Sequence, residues 1–196
     1  EQIPGEQYNF MERLKVYVLE VKQTPKGPQI YVSRTHPELV KRLFEQEVPE
    51  VHDGTVEIKS IAREAGSRTK IAVYSKNENV DALGACVGQN GCRVNVIVNE
   101  LGGEKIDVIN WSEDPKEFIA AALSPSKVVA VAINAAEQSA KVVVPDHQLS
   151  LAIGKEGQNA RLSAKLTGWR IDIKSETQAN ETNFLAEEPE MDEAEE

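Results

Sequence analysis

The sequence predicts an α+β fold in which one unit occurs twice, preceded by a β-hairpin and followed by an acidic tail. Three observations carry that prediction. A Gly-x-x-Gly tetrapeptide appears at 88–91 and again at 154–157, the two starting 66 residues apart. An Ile-Asp-Val triplet from Ile106 and an Ile-Asp-Ile triplet from Ile171 lie 65 apart, so the spacing from loop to next strand is kept. Around both loops the apolar period switches in the same order: helix, strand, strand, helix, Gly-x-x-Gly, helix, strand.

The chain opens with β-rich runs at 13–21 and 29–33, joined by Thr24-Pro-Lys-Gly-Pro28. That pattern is a hairpin. A lone hairpin is marginal in water, so residues 1–35 are expected to be part of a truncated β-barrel. A helix from His36 places Leu39, Val40, Leu43 and Phe44 on one face, with a proline in its first turn. Strands follow at 55–61 and 69–74. Asp81 caps a short helix at 82–87, and a second helix from Cys92 stops at Gly102-Gly103 before a strand at 105–109.

The second unit repeats this with a helix at 114–123, strands at 127–133 and 140–144, a helix at 149–153, one at 158–166 ending at Gly168, and a strand at 169–173. The expected boundaries are 36–111 for the first unit and 112–175 for the second. Lys70 and Lys141 start matching strand segments 71 apart, so the first unit carries about five extra residues, expected at 75–80.

The formal charge of −10 hides an uneven distribution. Nine of the 32 acids lie between Ser175 and Glu196 with no Lys or Arg among them, leaving 23 acids against 22 bases elsewhere. Residues 176–196 are therefore expected to form a disordered acidic tail. No apolar run is long enough for a membrane helix and no signal peptide opens the chain, so no membrane partner and a cytoplasmic location are expected. Cys86 and Cys92 lack CxxC spacing, and His36, His52 and His147 do not cluster. No metal, cofactor or redox role is expected. No phosphate-binding loop ending in Gly-Lys-Ser/Thr and no nucleophile, base and orienter set are visible, so catalysis is not expected either.

The loops carry the chemistry. Glycines lack the Cβ that would block a phosphate backbone and can take positive φ. The helix after each loop then aims its N-terminal N–H groups and dipole at the anion. Candidate residues for binding a phosphate backbone are Gly88, Gln89, Asn90, Gly91 and Arg93 in the first copy, and Gly154, Lys155, Glu156, Gly157, Arg161 and Lys165 in the second. The second copy is the better electrostatic match, since Lys155 lies inside its loop and Arg170 and Lys174 follow, whereas Gln89 and Asn90 are neutral. Ala85, Val87 and Val94, with Ala152, Ile153 and Ala160, are either floor for unstacked bases or core.

Together these features resemble tandem KH domains of type II. Longer runs, among them Val56-Glu-Ile-Lys-Ser-Ile-Ala-Arg-Glu-Ala-Gly66, Trp111-Ser-Glu-Asp-Pro115, Leu149-Ser-Leu-Ala-Ile-Gly-Lys-Glu-Gly-Gln-Asn-Ala-Arg161 and Thr167-Gly-Trp-Arg-Ile-Asp-Ile173, resemble the NusA family of bacterial transcription factors. The resemblance covers about residues 1–175. It implies that the opening hairpin belongs to a partial OB-fold barrel. It also implies that the ligand is single-stranded nascent RNA, about four nucleotides per groove, and that the partners are an RNA polymerase elongation complex and other Nus factors. Family members commonly carry a basic residue where this chain has Gln89-Asn90. The rival expectation is a protein-docking scaffold with degenerate KH folds.

Overall fold

Residues 1–182, 184 and 185 are described by a computed structural model of the chain, and they form three open sheets in two units, Glu1–Ser112 and Glu113–Glu196. In the first unit, β1 (Tyr17–Thr24) and β2 (Gly27–Ser33) pair antiparallel as a two-stranded ladder. Val18, Val21, Ile30 and Tyr31 all remain exposed. The hairpin is tied down at its base. The buried Arg34 forms ion pairs with Glu6 and Glu100 and donates to the Lys15 carbonyl (2.8 Å), while Tyr17 stacks on His36 at 4.7 Å.

Helix α1 (Pro37–Glu47) starts where its first turn is satisfied. His36 Nδ1 accepts from Glu38 N, and Leu39, Val40, Leu43 and Phe44 are buried as their spacing requires. A further turn, α2 (Pro49–His52), had no periodic signal because it is only four residues long. The sheet of β3 (Val56–Glu64), β4 (Arg68–Ser75) and β5 (Lys105–Asn110) has the order β3-β4-β5, antiparallel then parallel. The parallel step requires a crossover, which α3 (Ala82–Val87) and α4 (Cys92–Glu100) supply. Phe44, Ile71, Val73, Ile97 and Leu101 form the core beneath them.

One ion pair in this unit is wholly enclosed. Arg63 and Glu104 side chains are both 0% exposed, and Glu104 also accepts from Gly66 N and Thr69 Oγ1 while Arg63 donates to the His36 carbonyl. The network fastens the β3–β4 turn, the start of β5 and the start of α1 to one another.

The second unit repeats the plan. Asp114 caps α5 (Pro115–Ala122), and β6 (Ala130–Asn134), β7 (Ser139–Val144) and β8 (Arg170–Ser175) take the order β6-β7-β8, antiparallel then parallel. The crossover holds α6 (Leu149–Ile153) and α7 (Gln158–Thr167), and Ala152 of α6 joins Ile119, Leu123, Val142 and Val144 in the core. The extra residues of the first unit extend β4 to Ser75, which pairs with Val56, and form the loop 76–81. In the second unit β7 stops at Val144 and only 145–148 intervene.

The expectation of disorder from residue 176 is corrected for the first residues of the tail. They form α8 (Glu176–Glu181), started by a capping box in which the Ser175 hydroxyl accepts from Gln178 N while the Gln178 side chain accepts from Ser175 N. Ala179 and Phe184 are buried against Val143. Counting charges missed this because one small residue and one aromatic suffice to dock a single turn and a half of helix. Residues 183 and 186–196, the rest of the expected tail, lie outside the described residues.

Candidate nucleic-acid interface

The two Gly-x-x-Gly loops adopt one backbone conformation. Gly88, Asn90 and Gly91 have φ/ψ of 74/170, 52/29 and 76/14, and Gly154, Glu156 and Gly157 have 77/172, 53/27 and 73/15. Each loop closes with the same bond, the second glycine's N–H donating to the first glycine's carbonyl at 3.1 Å. A Cβ at Gly154 would sit 2.8 Å from Asn159 N, and one at Gly88 would sit 2.8 Å from Cys92 Sγ. Only glycine lets the loop fold so closely onto the helix that follows it.

That helix has no side-chain cap at its start, and its first N–H, of Cys92 or Gln158, donates to the Gln89 or Lys155 carbonyl of the loop. His36, Asp81, Asp114 and Ser175 cap α1, α3, α5 and α8 with side chains, whereas α4 and α7 begin from Gly91 and Gly157 with no side-chain cap. Their next N–H groups are therefore not taken up by a side-chain cap, the arrangement a phosphate oxygen requires.

Charge separates the copies. Lys155, Glu156, Arg161 and Lys165 are all exposed, and Arg161 reaches back to donate to the Glu156 carbonyl at 3.0 Å, placing a guanidinium on the loop. Lys165 lies one turn further along α7. Gln89 and Asn90 are exposed too, but Arg93 turns away: its Nη1 donates to Glu50 Oε2 at 2.9 Å and to the Ala85 carbonyl at 2.7 Å. The equivalent residue of the second copy is Asn159, 1% exposed, whose Nδ2 donates to the Leu123 and Ala152 carbonyls, each at 3.0 Å. This staple position was missed in the sequence, although the register of the repeat aligns Arg93 with Asn159.

The flanking apolar residues divide. Ala85 and Val94 pack against the first core and Ala152 is fully enclosed in the second. Ile153 is exposed and lines a groove of about 450 Å³ together with Leu149, Ile173 and Lys174. Cys86 is buried, which pushes its thiol up to about 12, while Cys92 at the start of α4 is exposed.

Residues 34–111 match the model of the NusA-like first KH domain, and residues 115–181 match that of the NusA-like second KH domain. The chain belongs to the NusA-like KH family. The second match runs through α8. Among curated proteins, transcription termination/antitermination protein NusA of Bacillus subtilis is 64% identical over 192 residues, covering 98% of this chain and 52% of the relative. NusA of Halalkalibacterium halodurans is 63% identical over 188 residues, 96% of this chain and 49% of the relative. NusA of Thermus thermophilus is 51% identical over 174 residues, 89% and 45%. The chain thus spans about half the length of the NusA relatives it matches. The solved structure of APE1850 aligns with a TM-score of 0.50 and 21% identity over 69% of this chain and 95% of that one, a likeness of fold alone.

Proposed function

We propose that this chain binds single-stranded nascent RNA through its two Gly-x-x-Gly loops, as the tandem KH part of a bacterial factor acting in transcription elongation, termination and antitermination. The observation that carries the reading is the second loop, which puts a helix start without a side-chain cap, Lys155 and the Arg161 guanidinium at one point. Backbone N–H groups and two cations hold the phosphates there, and the bases turn toward the groove beside Ile153. The first loop has the same backbone without the cations, so it binds by shape and neutral hydrogen bonds and contributes less. RNA polymerase and other Nus factors are the proposed partners, the cytoplasm the proposed location, and the RNA is a ligand rather than a substrate.

The test is fluorescence anisotropy of single-stranded RNA against the intact chain, Lys155→Asp/Glu156→Asp and Gln89→Asp/Asn90→Asp, across a salt series. These variants keep all four glycines, so circular dichroism should show both folded. Loss of most salt-dependent affinity in the first variant and a smaller loss in the second are expected. Unchanged affinity in both would refute RNA binding by the loops and favour a protein-docking role, for which the neutral first loop is the supporting observation.

A further inference from the structure

The groove of the second unit has a wall that the repeated element order does not supply. β8 is an edge strand with α6 against it, and Gln178 and Glu181 of α8 also line the groove beside them. α8 is held there by its capping box and by Asp146, which accepts from Thr177 N at 3.2 Å and Thr177 Oγ1 at 2.9 Å. Leu149 and Ile153 give an apolar side suited to the face of a base, and Ile153 directly precedes Gly154. A strand whose phosphates rest on the loop therefore carries its bases past Ile153 toward β8 and α8.

Two carboxylates, Asp172 and Glu181, line that space, and neither is paired among the described residues. Both are exposed, and the first unit differs at the matching position. Asp107, at the position matching Asp172, is clamped by Arg68 at 2.8 and 3.0 Å and by Lys70 at 3.0 Å. In the second unit Ser139 stands where Arg68 does, and Lys141, matching Lys70, lies over the Phe184 ring at 5.4 Å. Lys174 is drawn the same way, 4.2 Å from that ring and 3.3 Å from Thr182 Oγ1. Among the described residues neither ammonium group forms an ion pair with Asp172, whereas Lys70 does with Asp107.

A carboxylate repels phosphate but accepts from an exocyclic amine. Adenine, cytosine and guanine each present one, whereas uracil offers a lone N3–H flanked by two carbonyl oxygens that face the carboxylate unfavourably. We infer that the second groove selects bases bearing an exocyclic amino group over uracil, with Asp172 and Glu181 as the acceptors. The inference rests on the RNA-binding reading above and adds to it which bases are chosen and by which residues.

The experiment uses the whole chain carrying Gln89→Asp/Asn90→Asp, which silences the first loop, and labelled 12-mer RNAs that differ only in a central A4, C4 or U4. In this background A4 and C4 are expected to bind about tenfold more tightly than U4. Adding Asp172→Asn/Glu181→Gln should shrink that ratio to about twofold, because an amide also donates to the uracil carbonyls, while adding Lys155→Asp should weaken all three RNAs alike. Equal binding of U4 and A4, or a preference that survives in the amide variant, overturns the inference. Indifference of all three RNAs to Lys155→Asp overturns the RNA-binding reading instead.

Discussion

Replacing Glu156 by asparagine should make the second unit more stable and its RNA affinity higher at once. Glu156 occupies the left-handed region, φ 53 and ψ 27, which costs a side chain with an ordinary Cβ about 1–2 kcal/mol, whereas asparagine visits it more readily. The first loop supplies the comparison, since Asn90 has φ 52 and ψ 29. Glu156 is exposed, so no packing is lost, and the bond from Arg161 goes to its backbone carbonyl, which the substitution keeps. The expected gain is about 0.5–1 kcal/mol, raising the melting temperature of a unit this size by roughly 2–8 °C. Removing one negative charge roughly 6 Å from a phosphate adds on the order of 0.7 kcal/mol in water, about threefold in affinity, and the gain should fade as salt rises. Calorimetry and anisotropy at two salt concentrations read both effects. A variant that melts at or below the parent temperature would refute the strain argument, and a stabilised variant with weaker binding would show that the Glu156 carboxylate itself contacts the RNA. Asn90→Glu should lose the same increment in the first unit.

Glu104→Ala leaves the Arg63 guanidinium enclosed without its partner and should cost about 3–5 kcal/mol, enough to unfold the first unit at a much lower denaturant midpoint. An aromatic disulfide reagent near pH 8 should titrate one thiol, Cys92, in the native chain and two after denaturation, because burial pushes Cys86 up to about 12. The Ser175 and Thr177 hydroxyls and Thr177 N hold the Asp146 carboxyl below its usual range. Its contribution to docking α8 is therefore present above the ordinary aspartate range and lost as pH falls through that lowered value. Amide exchange across 176–181, corrected for intrinsic rates, should rise on acidification, and in Asp146→Asn it should be fast at neutral pH as well.

The element order, the loops and the buried face of α1 were legible in the chain because each depends on residues within a turn or two of one another. An apolar stripe at Leu39, Val40, Leu43 and Phe44 admits one helix face, and a repeat with matched loop-to-strand spacing admits one order of elements. The shared backbone of the two loops follows from the repeated glycines, which take the positive φ that the first and fourth positions require.

What could not be read from spacing was the direction in which charged side chains turn. Arg93 reads as a cation beside a loop, yet it is spent on Glu50, 43 residues earlier in the chain. Asp172 reads as a copy of Asp107, yet it lacks the clamp that Arg68 and Lys70 give Asp107, and Ser139 stands where Arg68 does. Residues 176–181 read as acidic tail, yet Ala179 and Phe184 find Val143. Each of these outcomes is a competition among partners far apart in sequence, settled by distance, burial and desolvation once the sheets are formed. The local pattern specifies which residues are present at the site, and the packed fold settles which of them are left to meet a ligand.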